Sequence, residues 1–191
     1  MATPSISEVH SITPYQTEGP FYPQHDQLDK DADLTRVQGR SEKAAGEVIF
    51  VSGRVLDMFG NPIEGVLIDI WQANKYGRYD HANDPNPAPL DPNFQGWAQL
   101  MTGSDGVYNI MTIKPGAYPQ GDAWRPPHIH YGLSKRGYKE ITTQMYFKDD
   151  PLNDLDGLLL AVKPKALRET LIVDFKTGIG KFDVVLATRN R

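Results

Sequence analysis

From Glu47 onward the chain is a succession of short β-branched and apolar runs separated by turn residues, with almost nothing at a helical period. Val48–Asp57, Val66–Gln72, Trp97–Thr102, Val107–Ile113, His128–Leu133, Ile141–Phe147 and Phe182–Ala187 each read as a strand. Phe59–Gly65 is turn chemistry, and Ser104-Asp-Gly106 has the composition of a hairpin turn. Pro164–Thr170 is the one stretch expected to be helical, and Gly178-Ile-Gly180 is expected to act as a breaker of regular structure. Many short strands with tight turns and little helix predict an all-β fold, an antiparallel sandwich or barrel. Residues 1–46 lack sustained periodicity and read as an extended N-terminal arm, leaving 47–191 as one domain.

Composition removes several classes of function. There is no cysteine, so a disulfide framework, a zinc ribbon, an iron–sulfur cluster and a thiol nucleophile are all excluded. The formal net charge of −4 lacks the basic balance that a nucleic-acid binder needs. Met1–His10 has no basic or apolar segment of the signal-peptide kind, and nothing later approaches a membrane span. A cytoplasmic protein without nucleic-acid or membrane partners is the expectation.

Two irregular stretches interrupt the strands: Asp80–Gly96, with four prolines and three asparagines, and Lys114–Pro127, with four prolines. Long loops held by a rigid sheet are the usual place for a site. The second leads into Trp124-Arg-Pro-Pro-His-Ile-His130. Alternate residues of a strand share a face, so His128 and His130 emerge together and can converge on one metal ion. Two independent histidines are the competing reading. No acidic residue follows the pair until Glu140, which removes the usual carboxylate partners of zinc and ferrous sites. The loops offer tyrosines instead: Tyr76, Tyr79 and Tyr118. A phenol ionises near pH 10, so only a strongly Lewis-acidic ion such as Fe(III) would hold it as phenolate at neutral pH. For each tyrosine taken singly, a half-buried loop aromatic is the competing reading.

Several motifs, in order, resemble the intradiol ring-cleavage dioxygenases. They are Gly53–Tyr79, Ala88–Phe94, Ile113-Lys-Pro-Gly-Ala-Tyr118, Trp124–His130 and Gln144-Met-Tyr-Phe147, and the similarity is greatest to the protocatechuate 3,4-dioxygenase group. The resemblance implies a β-sandwich core and one Fe(III) per chain held by Tyr79, Tyr118, His128 and His130, with O2 as co-substrate. Tyr76 falls where the family places no ligand. Tyr118 is implied to leave the metal when a catechol binds and to accept a proton. Arg125 is implied to stabilise negative charge on the ring, with Gln144 holding it in place. A structural ion pair is the competing role for Arg125.

Thr13–Pro20 further resembles the start of the iron-free subunit of those enzymes, which implies that Thr17, Gly19 and Pro20 line the substrate site. Arg136 falls where that subunit carries an arginine near the substrate carboxylate; a solvated turn residue is its competing reading. Two departures touch the implied pocket: Gln120 stands where tryptophan is common, and Phe21 where tyrosine follows Gly-Pro. The implied reaction is cleavage of a catechol between its hydroxyls to a cis,cis-muconate. Protocatechuate is the first substrate, and another substituted catechol or hydroxyquinol the alternative. The implied assembly is a homo-oligomer in which the arm of one chain completes a neighbour's pocket. A competing reading from another class treats Gly53–Ile70 as part of a transthyretin-like binding module without chemistry.

Overall fold

A computed structural model describes residues 9–27 and 29–189. Residues 1–8, Leu28 and the last two residues lie outside the described residues, as does most of the segment read for a targeting signal. The chain forms an all-β sandwich. β1 (Val48–Asp57) alternates strictly: Ile49, Val51, Gly53 and Val55 point inward while Val48, Phe50 and Arg54 face solvent. This is the period-two pattern of a strand covered on one side. It pairs antiparallel with β4 (Val107–Ile113) along one edge. Its other edge is shared by β10 (Ile179–Lys181) and β11 (Val184–Leu186), both parallel to it.

The second sheet has the order β3 (Trp97–Met101), β2 (Leu67–Trp71), β7 (His128–Ser134), β8 (Ile141–Phe147), β9 (Ile172–Val173). Between the two sheets lies one core that includes Val51, Val55, Ile68, Ile70, Ile129, Tyr131, Met145 and Val184. Burying each such aliphatic side chain contributes about 1.5–3 kcal/mol. A smaller apolar cluster of Trp71, Ala73, Tyr79, Trp97 and Tyr118, with Phe21 and Tyr22 against it, sits outside this core.

The structure differs from the sequence expectations in four places. The main ladders are antiparallel, but three short pairings, β1–β10, β1–β11 and β8–β9, are parallel. Ser104-Asp-Gly106 is a tight turn but not a hairpin: it joins β3 to β4, which belong to different sheets. Gly178-Ile-Gly180 runs into β10 rather than breaking the structure. Besides α2 (Lys165–Glu169), inside the expected helix, there are a 3-10 turn at Pro151–Asp154 and a short helix α1 (Gly157–Leu160). Asp150 and Asp156 cap them through their carboxylates. Among the described residues no helix is long and apolar enough to cross a membrane.

The N-terminal segment is fastened to the sandwich of its own chain. Thr13 exchanges hydrogen bonds with Val185, Gln16 N–H donates to Thr142 O, and the Thr143 hydroxyl donates to Pro14 O. Farther on, Leu34 enters the main core and Asp33 bridges to Met111.

Candidate metal centre and active site

β7 carries His128, Ile129, His130 and Tyr131, all buried. Ile129 and Tyr131 enter the inter-sheet core, while the histidines lie on the outer face, where arm and loops cover them. His128 Nδ1 lies 2.7 Å from Pro126 O, so Nδ1–H donates to that carbonyl and leaves the Nε2 lone pair free. His130 stacks on Trp71, its partner across the β2–β7 ladder, with ring centroids 4.8 Å apart and planes 6° from parallel. The two Nε2 atoms stand 3.2 Å apart.

The tyrosines arrive on two loops that cross. Asn74 builds the first: its Oδ1 accepts from the N–H groups of Tyr76 and Arg78, and its carbonyl accepts from Gly116 N–H. At the crossing a Cβ on Gly77, whose φ is +76°, would collide with Ala117 O. A Cβ on Gly116 would likewise strike Lys75 O. Glycine at both positions therefore sets how closely the loops approach. The Lys114–Pro127 stretch contains a hairpin of β5 (Tyr118–Gln120) and β6 (Ala123–Arg125), in which Tyr118 faces Arg125 across the ladder. The rings of Tyr79 and Tyr118 meet edge to face at 5.5 Å, and Tyr118 Oη lies 3.4 Å from His128 Nε2. Tyr76 is exposed under Lys75.

The electrostatics suit a cation. Burial, reinforced by the Arg125 charge, holds His128 well below the usual histidine range and His130 down to about 3. Both imidazoles are therefore neutral, the form that ligates metals. Burial pushes Tyr79 well above its ordinary value, with the neighbouring Tyr118 adding to the effect, and burial raises Tyr118 too. The Tyr79 hydroxyl is buried with no hydrogen-bond partner. Among the described residues no three His, Cys, Asp or Glu side chains gather, so a metal here would draw on tyrosine. An orphaned phenol beside two neutral, facing Nε2 atoms fits an Fe(III) ion of the kind the sequence implies.

Around this cluster runs a closed polar ring. Arg125 Nε donates to Asp156 Oδ2 at 2.6 Å; its Nη2 donates to Gln144 Oε1 at 2.6 Å and to the Tyr146 hydroxyl at 3.2 Å. Gln144 Nε2 donates to Thr17 O at 2.7 Å, and the Tyr146 hydroxyl donates to Gln16 Oε1 at 3.1 Å. Arg125 is thus ion-paired with Asp156, and its charge acts on both histidines of the cluster.

The arm closes the site from above. Gly19 lies against His130, and Phe21 packs on Tyr79 and Tyr118 at centroid distances of 4.9 and 6.1 Å. Thr17, Gly19 and Phe21 lie over the cluster of their own chain, where Gln16 N–H bonds to Thr142 O and Thr17 O accepts from Gln144 Nε2 on β8. Pro20 and Gln120 are exposed at the rim. Arg136 does not join the cluster. It is exposed on the turn after β7, past the strand's last residue, Ser134. Sequence reading missed Asp156, Tyr146, Gln16 and Trp71; only Asp156 carried a local signal, as a helix cap before Gly-Leu-Leu.

A sandwich presenting two tyrosines and two histidines at one buried point defines a class, and comparisons with known proteins agree with it. The family model described as "Dioxygenase" matches residues 17–187. The protocatechuate 3,4-dioxygenase beta chain of Burkholderia cepacia is 43% identical over 183 residues, covering 90% of this chain and 77% of that one. Hydroxyquinol 1,2-dioxygenase of Rhizobium sp. (strain MTP-10005) is 32% identical over 145 residues, 69% of this chain and 46% of that one. The chain thus spans about half the length of this relative. Among solved structures, the dioxygenase domain of a carbohydrate-binding fusion protein from Streptomyces sp. SirexAA-E is 31% identical, with a TM-score of 0.69 over 94% of this chain and all of that one. The fold of 3-chlorocatechol 1,2-dioxygenase from Rhodococcus opacus 1CP matches with a TM-score of 0.72 at 23% identity, over 92% of this chain and 72% of that one. The chain belongs to the intradiol ring-cleavage dioxygenase family, and the transthyretin-like reading falls.

Proposed function

We propose that the protein holds one Fe(III) through Tyr79, Tyr118, His128 and His130 and cleaves protocatechuate with O2 to 3-carboxy-cis,cis-muconate. The observation that carries the reading is the convergence of these four side chains, with an unpartnered Tyr79 hydroxyl at its centre. The name of the Burkholderia cepacia relative supports the choice of substrate. Ferric ion would supply the Lewis acidity that ionises both phenols and lowers the pKa of the catechol hydroxyls. Tyr118 Oη would accept a substrate proton, since burial favours its neutral form. Arg125 meets negative charge growing on the ring with a guanidinium already oriented by Gln144 and Asp156. Phe21 and the arm keep water from the cluster.

The substrate carboxylate needs a partner when the pocket closes. We assign that role to Arg136 of a neighbouring copy in a homo-oligomer, since it is exposed on the turn after β7 and its guanidinium has no ion pair among the described residues. A planar guanidinium suits a carboxylate through two parallel hydrogen bonds. The purified protein should be red-brown, and oxygen uptake should be faster with protocatechuate than with catechol or hydroxyquinol. Arg136→Ala should lower kcat/KM for protocatechuate by roughly 10- to 100-fold, matching about 1.5–3 kcal/mol for a charge-assisted contact, while catechol turnover holds. A colourless, iron-free protein would sink the metal assignment. Equal losses on both substrates would sink the role of Arg136.

A further inference from the structure

We propose that Asp156 is a positioning residue for the ring-cleavage reaction, fixing the Arg125 guanidinium relative to helix α1 and the N-terminal arm. The inference rests on the role proposed for Arg125, and it comes from how the two oxygens of one carboxylate are used. Asp156 Oδ1 accepts from Leu158 N–H at 2.8 Å and Leu159 N–H at 2.9 Å, the cap of α1. That leaves Oδ2 at an angle set by the helix, and Oδ2 accepts from Arg125 Nε at 2.6 Å. The Asp156 side chain is fully buried, and that of Arg125 is 7% exposed. Neither can swing away without stranding a charge in the interior.

The rest of the guanidinium is fixed from the other side. Nη2 is held by Gln144 and Tyr146 on β8. Nη1 is then the one guanidinium nitrogen with no hydrogen bond among the described residues, free to meet a ligand. Gln16 closes the ring, donating from Nε2 to Leu158 O at 3.3 Å and accepting from the Tyr146 hydroxyl. The cap of a four-residue helix, the guanidinium and the arm over the cluster thereby share one reference point. A cap alone would explain Oδ1 and leave the Oδ2 contact without purpose. Asparagine caps helices as well as aspartate does, but it cannot neutralise the guanidinium, so one substitution separates the two roles.

The test uses the iron-loaded, full-length enzyme. Asp156→Asn should retain iron and the visible band while kcat falls roughly 10- to 100-fold, the range typical for losing a group that supports a site, with KM nearly unchanged. Wild-type kcat in this variant would overturn the proposal and reduce Asp156 to a cap. Should Asp156→Asn fail to fold, the double variant Asp156→Asn/Arg125→Gln carries no stranded charge. Its kcat should equal that of Arg125→Gln alone; a further independent loss would overturn the coupling. A readout free of turnover completes the set: in the iron-free chain the Arg125 Nε–H signal should exchange slowly in wild type and fast in Asp156→Asn, and equal rates would overturn the tether. Wild-type kcat in Arg125→Gln would instead sink the role given to Arg125 in the reaction, a failure distinct from loss of the tether.

Discussion

The chain buries two pairs of tyrosines, and they differ in what their hydroxyls face. Tyr108 on β4 and Tyr131 on β7 meet at 6.0 Å between the sheets; Tyr79 and Tyr118 meet at 5.5 Å on the outer face of the second sheet. Burial raises the pKa of all four. Tyr108 donates to the Phe182 carbonyl at 2.7 Å, and the Tyr131 ring packs on Phe182. The other pair faces two neutral imidazoles and lies in the field of Arg125. Burial alone makes a phenol a neutral core residue. Convergence with other donors is what makes it fit to hold a metal. Neighbours on β7 show the division within one strand, since Tyr131 serves the core and His130 the site.

The comparison is tested hardest by removing one hydroxyl from each pair. Tyr79→Phe should lose iron and the visible band, with activity falling by more than the roughly 10- to 100-fold that loss of a supporting residue costs. Tyr131→Phe should keep both. Its hydroxyl is buried without a partner, so removal should leave stability unchanged or improve it. Metal analysis and the visible spectrum of the two variants decide the matter. Full iron and an unaltered spectrum in Tyr79→Phe would erase the distinction between the pairs.

Acid separates them next. His128 and His130 have folded-state pKa values far below the ordinary 6.5, so between about pH 6.5 and 3 the unfolded chain binds more protons than the folded one. Stability of the iron-free protein should therefore be intact above pH 6.5 and fall as the pH drops, at up to about 1.4 kcal/mol per pH unit for each histidine. The Tyr108–Tyr131 pair contributes nothing in that range. Denaturant midpoints measured from pH 7 to 4.5 should show a steeper decline for wild type than for His128→Gln/His130→Gln. Parallel declines would mean that the histidines are not held neutral.

The two tyrosine pairs also show what the sequence could reveal. Three strands were legible to the residue: β1, β4 and β8 have the bounds expected from their runs of β-branched and apolar residues. β10 was not, because Gly178 and Gly180 look like breakers. In the structure Gly180 lies under the Phe175 ring, where any Cβ would collide, so that glycine marks close packing inside a strand. The helices around Asp150 and Asp156 are too short to show a period. His128 and His130 were visible as a same-face pair from spacing alone. Tyr79 and Tyr118 were not: they lie on separate loops, and only the family motifs singled them out from Tyr76. Gln16 and Tyr146 meet through the tertiary fold across 130 positions of chain and leave no local pattern; Asp156 leaves only the sign of a helix cap.

The smallest effect belongs to the structural pair. Tyr108→Phe removes a buried hydroxyl and leaves the Phe182 carbonyl without that donor, which should cost about 1–3 kcal/mol. The ring remains, so its packing on Tyr131 and the close fit of β4 against β1 should persist. Tyr108 has no contact with the histidine pair, and β7 stands between them with Ile129 and Tyr131 turned to the core and the histidines turned away. The destabilisation should therefore be uniform across the cooperative unit and leave iron content, the visible band and KM unchanged. Chemical denaturation beside a metal assay on the same preparation reads both quantities. Loss of iron in proportion to loss of stability would show that the centre is held by the general rigidity of the sandwich rather than by the two loops and the arm that converge on it.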